Sequence, residues 1–320
     1  MITSCRLVRY ITVCLLSFFW CVLQASPQAL SQDSGALKAL CLDKTQSATA
    51  FKDVTIIVSS CDKYSDLWPS FFACLFRAWP WLENPKSTVP IVLIAGRKDF
   101  AHKRVITHKI GRDKGWSANL LEVLSQIKTP YVLYLQEDYF FCKPIQEGRL
   151  KQVINLMDTS PKVVYCQLSE DVIFFSPNGR FVEKKPFKTK GVLKKTCYAR
   201  SRNNLQAALW RKDALQTLLR RHENPWQFEK NGNKRSQYME AVTGATFLIA
   251  QDPSPLLYLN AVYKGAIDPR VLCWLQKNKL PVPKTNAYPV HRGPYCRQTT
   301  EPKAYAALKA SGCCDNNTNF

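Results

Sequence analysis

No C-x-x-C pair occurs in the chain despite its 13 cysteines, so the ligand spacing of the common zinc sites is missing. The one close pair, Cys313 and Cys314, lies in a polar tail, and the odd total leaves at least one thiol unpaired with no disulfide assignable. Internal repeats and low-complexity tracts are also missing, which excludes a repeat array. There is no helix with clustered base-reading residues, no zinc-finger spacing and no RNP-like strand, so nucleic acid is not the expected partner. Acidic residues are scarce, with 24 Asp plus Glu against 45 Lys plus Arg, and the net charge of +21 favours anionic partners such as acidic lipid surfaces or phosphorylated substrates. The densest basic stretch, Lys184 to Arg202, reads as a solvated loop or a small hairpin over the sheet.

What is present begins with a leader pattern. Arg6 and Arg9 precede an apolar run from Tyr10 to Leu23, followed by Ala25 and Ser26, the layout of a signal peptide or signal anchor over residues 1–26. The run is short for a membrane span, which needs about 20 apolar residues. Residues 27–52 read as a linker, residues 53–280 as one catalytic-sized α/β domain and residues 281–320 as a basic, Pro-rich tail. The expected association is with a membrane surface, on the cytoplasmic or the exported side.

Within the domain, Val54 to Ser60 is β-branched and apolar, as a buried strand requires. Phe71, Cys74, Leu75, Ala78 and Trp79 recur at helical spacing after Pro69, and Pro80 stops the helix. Pro90 to Ala95 reads as a second strand, Ser117 as the cap of a helix built on Leu120, Leu124 and Ile127, and Val132 to Leu135 as a third strand after the Thr129-Pro130 break. Strand, helix, strand, helix, strand is the order of a right-handed parallel sheet. Further strands are expected at Val163 to Leu168, Leu205 to Trp210, Ala245 to Ala250 and Leu256 to Tyr263. Helices are expected around Leu150 to Met157 and over Lys212 to Arg221. Cys61, Cys74 and Cys166 sit in apolar runs where a free thiol packs as a small hydrophobe.

The chemistry concentrates where polarity reverses. Glu137 and Asp138 follow the most strand-like run, and ligands of open α/β sheets gather outside the carboxyl ends of the strands. Adjacent carboxylates there either hold a hard divalent cation, Mg²⁺ or Mn²⁺, with a diphosphate completing the shell, or form a solvated acidic pair at the strand end.

Val-Thr-Ile-Ile-Val-Ser-Ser-Cys-Asp-Lys-Tyr from Val54, Gly115-Trp116-Ser117 and Gln136-Glu137-Asp138-Tyr139-Phe140 resemble a bacterial branch of the GT-A glycosyltransferases related to family 2. Leu205 to Trp210, Pro225-Trp226-Gln227-Phe228-Glu229 and Asn260 to Gly265 fit the same branch, so the resemblance covers about residues 54 to 266. It implies a GT-A fold, a mixed and mostly parallel sheet flanked by helices. It also implies transfer of a sugar from a nucleotide-diphosphate donor to a glycan or glycolipid acceptor, the alternative being a non-catalytic binding protein on the same fold.

Carried over by position, Glu137 and Asp138 fall at the acidic metal motif, with Asp138 the direct ligand. Gln136 stands where one alignment puts the first Asp, so the site is either a two-carboxylate version or a weakened one. Ser59, Ser60, Cys61 and Asp62 fall on the nucleotide side. Asp62 there accepts a hydrogen bond from base or ribose, or else caps the next helix. Asp113 and Trp116 line the same side, Trp116 covering a ring face or packing in the core. Glu229 falls at the acceptor base, its pKa raised by Trp226 and Phe228, or else is a cap or surface glutamate, with Glu240 next in line. Lys194, Lys195, Arg200 and Arg202 could offset diphosphate charge or hold an anionic acceptor, and His291 is a weaker candidate metal ligand.

Overall fold

A computed structural model describes residues 51–169, 184–197, 199, 201–263, 265–284 and 302–313. The chain divides into Met1–Thr49 and Ala50–Phe320, and the second unit is the one described. The expected leader, and the expected linker up to residue 50, lie outside the described residues, as do Arg200 and His291. Among the described residues no helix is long and apolar enough to cross a membrane.

In chain order the unit contains β1 (Val54–Ser59), α1 (Trp68–Ala78), β2 (Ile91–Ala95), β3 (Ile106–Lys109), α2 (Trp116–Gln126), β4 (Tyr131–Gln136), β5 (Tyr139–Phe141), α3 (Glu147–Thr159) and β6 (Val163–Gln167). It continues with β7 (Lys184–Pro186), β8 (Val192–Lys195), β9 (Ala208–Arg211), α4 (Lys212–Leu218), α5 (Pro225–Thr243) and β10 (Thr246–Ala250). The last elements are β11 (Tyr258–Asn260), β12 (Val262–Tyr263), β13 (Ala266–Ile267), α6 (Pro269–Lys277) and α7 (Pro302–Ala310).

Nine strands form one sheet in the order β3-β2-β1-β4-β9-β6-β10-β8-β7. β9 runs antiparallel to both its neighbours and β8 antiparallel to β10 and β7, so these two oppose the other seven. The α/β expectation of a mixed, mostly parallel sheet flanked by helices therefore holds. Period-two side-chain alternation splits the core into two layers. Ile56, Val58, Leu133 and Leu135 face one layer with Phe71 and Leu75 of α1, Val153 of α3 and Leu272 of α6. Ile57, Val132 and Tyr134 face the other with Leu120 and Leu124 of α2, Leu215 of α4 and Phe228 of α5.

Several elements differ from expectation for local reasons. β9 begins at Ala208, three residues after the expected start, and lies in the centre of the sheet as its antiparallel insert. The basic segment adds β7 and β8 to the sheet edge, where a loop or hairpin over the sheet was expected. Gly115, at φ 90°, precedes the first residue of α2, and Ser117 is fully buried one residue inside the helix instead of capping it. α5 continues for 19 residues from a segment read only as a Pro-Trp motif. Asn224 and Gln227 cap it reciprocally, Pro225 sits in the first turn and Gly244 ends it in the left-handed conformation. Its middle, Asn231-Gly232-Asn233, has poor helix propensity. Gly232 is there because a Cβ would collide with the Asn203 amide packed against it.

The domain also extends beyond both expected ends. Phe51 is only 1% exposed and meets the Trp79 ring edge-on at 5.1 Å. In the tail, Leu308 and Cys313 are fully buried in the α6 layer, and Cys313 is disulfide-bonded to Cys273. Phe51→Ala is expected to lower unfolding free energy by about 3 kcal/mol, the low end for a buried aromatic truncation, measured by urea titration. A loss below about 0.5 kcal/mol would return Phe51 to the linker.

Candidate functional site

β1 and β4 lie side by side at the inner end of the four consecutive parallel strands, with Ser59 in register with Gln136. Glu137 and Asp138 form the turn from β4 into β5, and the backbone carbonyl of Asp138 accepts from Ala261 at 2.8 Å, so the turn is held from below by the segment after β11. Burial, and then repulsion from Asp138, push the Glu137 carboxyl well above the ordinary range. Burial pushes Asp138 up to about 7. Among the described residues no cation forms an ion pair with either group. No set of three His, Cys, Asp or Glu assembles here or elsewhere among them. Two adjacent carboxylates, Glu137 buried and Asp138 half-buried, with no cationic partner among the described residues, fit a hard divalent ion as two oxygen donors, the rest of its shell coming from water or ligand oxygens. Gln136 adds no anionic oxygen: its amide donates to the Tyr134 hydroxyl at 3.2 Å, and its carbonyl accepts from Tyr139 at 3.1 Å.

The other expected binding residues converge on the same strand ends. The indole N–H of Trp116 lies 3.1 Å from the Ser59 hydroxyl and 3.3 Å from that of Tyr134, and its ring rests on Phe228 at 5.4 Å. The Ser60 hydroxyl accepts from Trp68 at 2.7 Å. Burial raises the pKa of Cys61, and the charges of Glu137 and Asp113 add to that, which places this thiol between the acidic turn and the approach to α2. The Asp62 carboxylate accepts from the amides of Gly96, Arg97 and Lys98 at 2.9, 2.8 and 3.2 Å, anchoring the loop after β2. Burial opposes its ionisation, but those amides and the Lys98 charge outweigh it and hold the pKa below its ordinary value. Asp113 accepts from Gly115 N–H and the Asn119 amide, both at 2.8 Å, so one of its oxygens starts α2. Tyr64 was not singled out from the sequence. Its phenol pKa is raised by burial and by Glu137, Cys61 and Asp138, which puts it at the edge of the acidic turn.

Glu229 occupies the second turn of α5 and accepts from Leu205 N–H at 2.8 Å. The Leu205 carbonyl in turn accepts from Tyr139 at 2.8 Å. A single residue, Leu205, thus connects Glu229 through its N–H to Tyr139, the residue that follows Asp138, through its carbonyl. The Tyr139 ring stacks on Tyr258 at 4.3 Å, and the Tyr258 hydroxyl donates to the side-chain carbonyl of Gln206, the residue after Leu205, at 2.5 Å. Burial raises the Glu229 pKa, opposed by the Leu205 N–H and the Lys195 charge. The apolar setting does not come from Trp226 as expected, because that ring is 74% exposed. Pro225 and the Asn224–Gln227 cap start the helix so that Trp226 lies on the outer face of the first turn, and Phe228 is buried toward Trp116.

The basic residues are used internally. The Glu240 carboxylate receives Lys194 and the fully buried Arg202, each at 2.6 Å. Lys195, also buried, donates to Gln167 and to the Ser201 carbonyl at 2.6 Å. Lys194 and Arg202 thus tie β8 and the segment after it to α5, and Lys195 ties β8 to β6, where the basic stretch suggested a solvated loop. Burial would raise the Glu240 pKa, yet its bond from Lys194 and the Arg202 charge bring it below the ordinary value. A carboxylate held ionised by two cations is a poor proton acceptor, which removes Glu240 as the second candidate base. Gln167, Asn204 and Tyr165 complete this buried network and were not anticipated, since polar residues at strand ends carry no periodic signal.

No protein-family model and no curated protein matches the chain. Solved structures do. The crystal structure of S. aureus TarS 1-349 is 12% identical with a TM-score of 0.43, covering 70% of this chain and 63% of its own. The same protein in complex with UDP-GlcNAc is 11% identical at 0.44, over 70% and 64%. The mannosyltransferase PcManGT from Pyrobaculum calidifontis, in complex with GDP-Man and Mn²⁺, is 12% identical at 0.43, over 90% and 86%. This chain thus spans less than two thirds of the TarS chain, and all three scores lie below 0.5.

Proposed function

We propose that the chain transfers a glycosyl group from a nucleotide-diphosphate sugar to a hydroxyl of a glycan or glycolipid acceptor. The observation that carries the reading is the Glu137–Asp138 pair, without a cationic partner among the described residues, at the carboxyl end of β4, beside Ser59 on β1 and linked through Tyr139 and Leu205 to a half-buried carboxylate, Glu229. Such a pair is costly in an unliganded domain unless a cation offsets it. Glu137 and Asp138 would hold Mg²⁺ or Mn²⁺, which when bound offsets the charge developing on a diphosphate leaving group. Ser59, Ser60, Cys61, Asp62, Asp113 and Trp116 would border the nucleotide, with Trp116 offering a half-buried ring edge. Glu229 would take the proton from the acceptor hydroxyl as that oxygen attacks the anomeric carbon. A second reading, a nucleotide- or glycan-binding protein without turnover, draws on Gln136, whose amide supplies no anionic ligand.

A thermal-shift screen of uridine and guanosine diphosphates and their sugars, with and without Mn²⁺, tests the reading, since a bound ligand raises Tm by linkage. Asp138→Asn is expected to abolish the Mn²⁺-dependent shift. It should also raise the stability of the metal-free domain. A carboxyl whose folded pKa lies above its unfolded value keeps its proton in the folded state, so stability falls as pH rises from the ordinary carboxylate range through about 7. The asparagine variant should lose that decline. An unchanged Mn²⁺-dependent shift, or a variant less stable than wild type at pH 8 without metal, would count against the assignment.

A further inference from the structure

The outer face of α5 takes no part in the site, and its composition is unusual for a solvated helix. The described residues contain five exposed large hydrophobic side chains, and three of them lie on this helix: Trp226 at 74%, Tyr238 at 73% and Val242 at 63% exposed. Lys230 and Lys234 stand between them on the same face, both exposed. At about 100° per residue these five positions fall within an arc of about 160°, and they extend about 24 Å along the axis. Phe228, Gly232 and Ser236 are buried on the opposite side. No described carboxylate pairs with either lysine. Their spacing of four sets like charges one above the other, which weakens an isolated helix. The turn leading into α5 adds the exposed Arg220 and Arg221, while its acid, Glu223, is occupied by Arg235 at 2.6 Å.

We propose that this face of α5 docks on an anionic lipid surface. Trp and Tyr are the side chains that settle at the depth of lipid headgroups, with an apolar body and a polar tip. Lysines interleaved with them add attraction to anionic headgroups, and the chain's net charge of +21 has the same sign. Valine at the far end gains from leaving water but offers nothing to a nucleic-acid base, which favours lipid over the other polyanion that could meet such a face. The docking does not depend on the proposed chemistry. If both hold, Glu229, three residues from Trp226 on the same helix, lies close to the plane from which a lipid-linked acceptor would be presented.

The test uses full-length protein and vesicles of brominated phosphatidylcholine, with or without phosphatidylglycerol. The contribution of Trp226 is the tryptophan quenching of wild type minus that of Trp226→Phe, which cancels every other tryptophan. That difference is expected with phosphatidylglycerol and not with phosphatidylcholine alone, and it should shrink as salt is raised. Lys230→Gln with Lys234→Gln should lower the partition constant behind it by roughly 30-fold, two lysines' worth of attraction to an anionic surface. Circular dichroism of both variants should match wild type, because every substituted side chain is exposed. Equal quenching of wild type and Trp226→Phe, equal quenching by uncharged vesicles, or no effect of the lysine substitutions would overturn the proposal. So would a polyuridylate that protects Trp226 from a soluble quencher where the vesicles do not.

Discussion

Glu229→Gln is expected to lower glycosyl transfer by at least ~100-fold, the lower bound for removing a general base, or about 2.7 kcal/mol of barrier. Glutamine can still accept from the Leu205 N–H, so Leu205, which ties α5 to Tyr139, should stay in place, and donor binding in the thermal-shift assay should be unchanged. The pH profile supplies a readout that a structural role would not move. Burial raises the Glu229 pKa, and a base works only when ionised, so the acid limb of kcat for wild type should lie above the ordinary glutamate range. In the glutamine variant that limb should vanish from the residual rate. Tyr139→Phe, which removes the hydroxyl that holds the Leu205 carbonyl, should reduce transfer less and leave the limb in place. Near-normal transfer by Glu229→Gln would point to a retaining mechanism that needs no such base, since Glu240 is already bound to two cations.

Glu240→Gln is expected to destabilise the domain by about 3 kcal/mol, because it leaves Arg202, whose side chain is 0% exposed, without its counter-charge. Arg202 keeps its bonds to the Ser236 hydroxyl at 3.1 Å and the Lys195 carbonyl at 3.0 Å, which is why the lower end of the range for a broken buried pair applies. Replacing both partners by apolar residues, Arg202→Met with Glu240→Leu, should recover most of the loss, and a double-mutant cycle measures the coupling. The pH dependence has a definite sign. The folded pKa of Glu240 lies below its usual 4.5, so the pair's contribution is full above that value and is lost as pH falls through the lowered folded value. Urea midpoints measured from pH 6 downward should fall more steeply for wild type than for Glu240→Gln. Parallel curves, or a loss under about 1 kcal/mol, would mean that water already screens the pair.

Much of this domain was legible as pattern. Continuous β-branched and apolar runs at Val54 and Tyr131 could bury both faces only inside a covered sheet, and the helical spacing of Phe71 to Ala78 and Leu150 to Met157 could face only its layers. Glu137 and Asp138 stood out for the same reason, a reversal of polarity at the end of a run that has no solvent of its own. These signals are local, set by periodicities of two and 3.6 within one segment. What the chain does with Lys194, Lys195, Arg202 and Glu240 was not local. A lysine or glutamate reads as surface-seeking until a partner 38 residues away, as for Arg202 and Glu240, makes burial tolerable. Nor does periodicity place β9 antiparallel in the centre of the sheet, carry α5 through Asn231-Gly232-Asn233, or bring Leu205 between Tyr139 and Glu229. Elements and the acidic strand end are determined by the sequence itself, since each depends on side chains a few residues apart. Which charges are internal, which aromatic faces outward and which carboxylates share a site are decided by tertiary structure, because solvation and pairing energies depend on neighbours that are close only after the sheet has assembled.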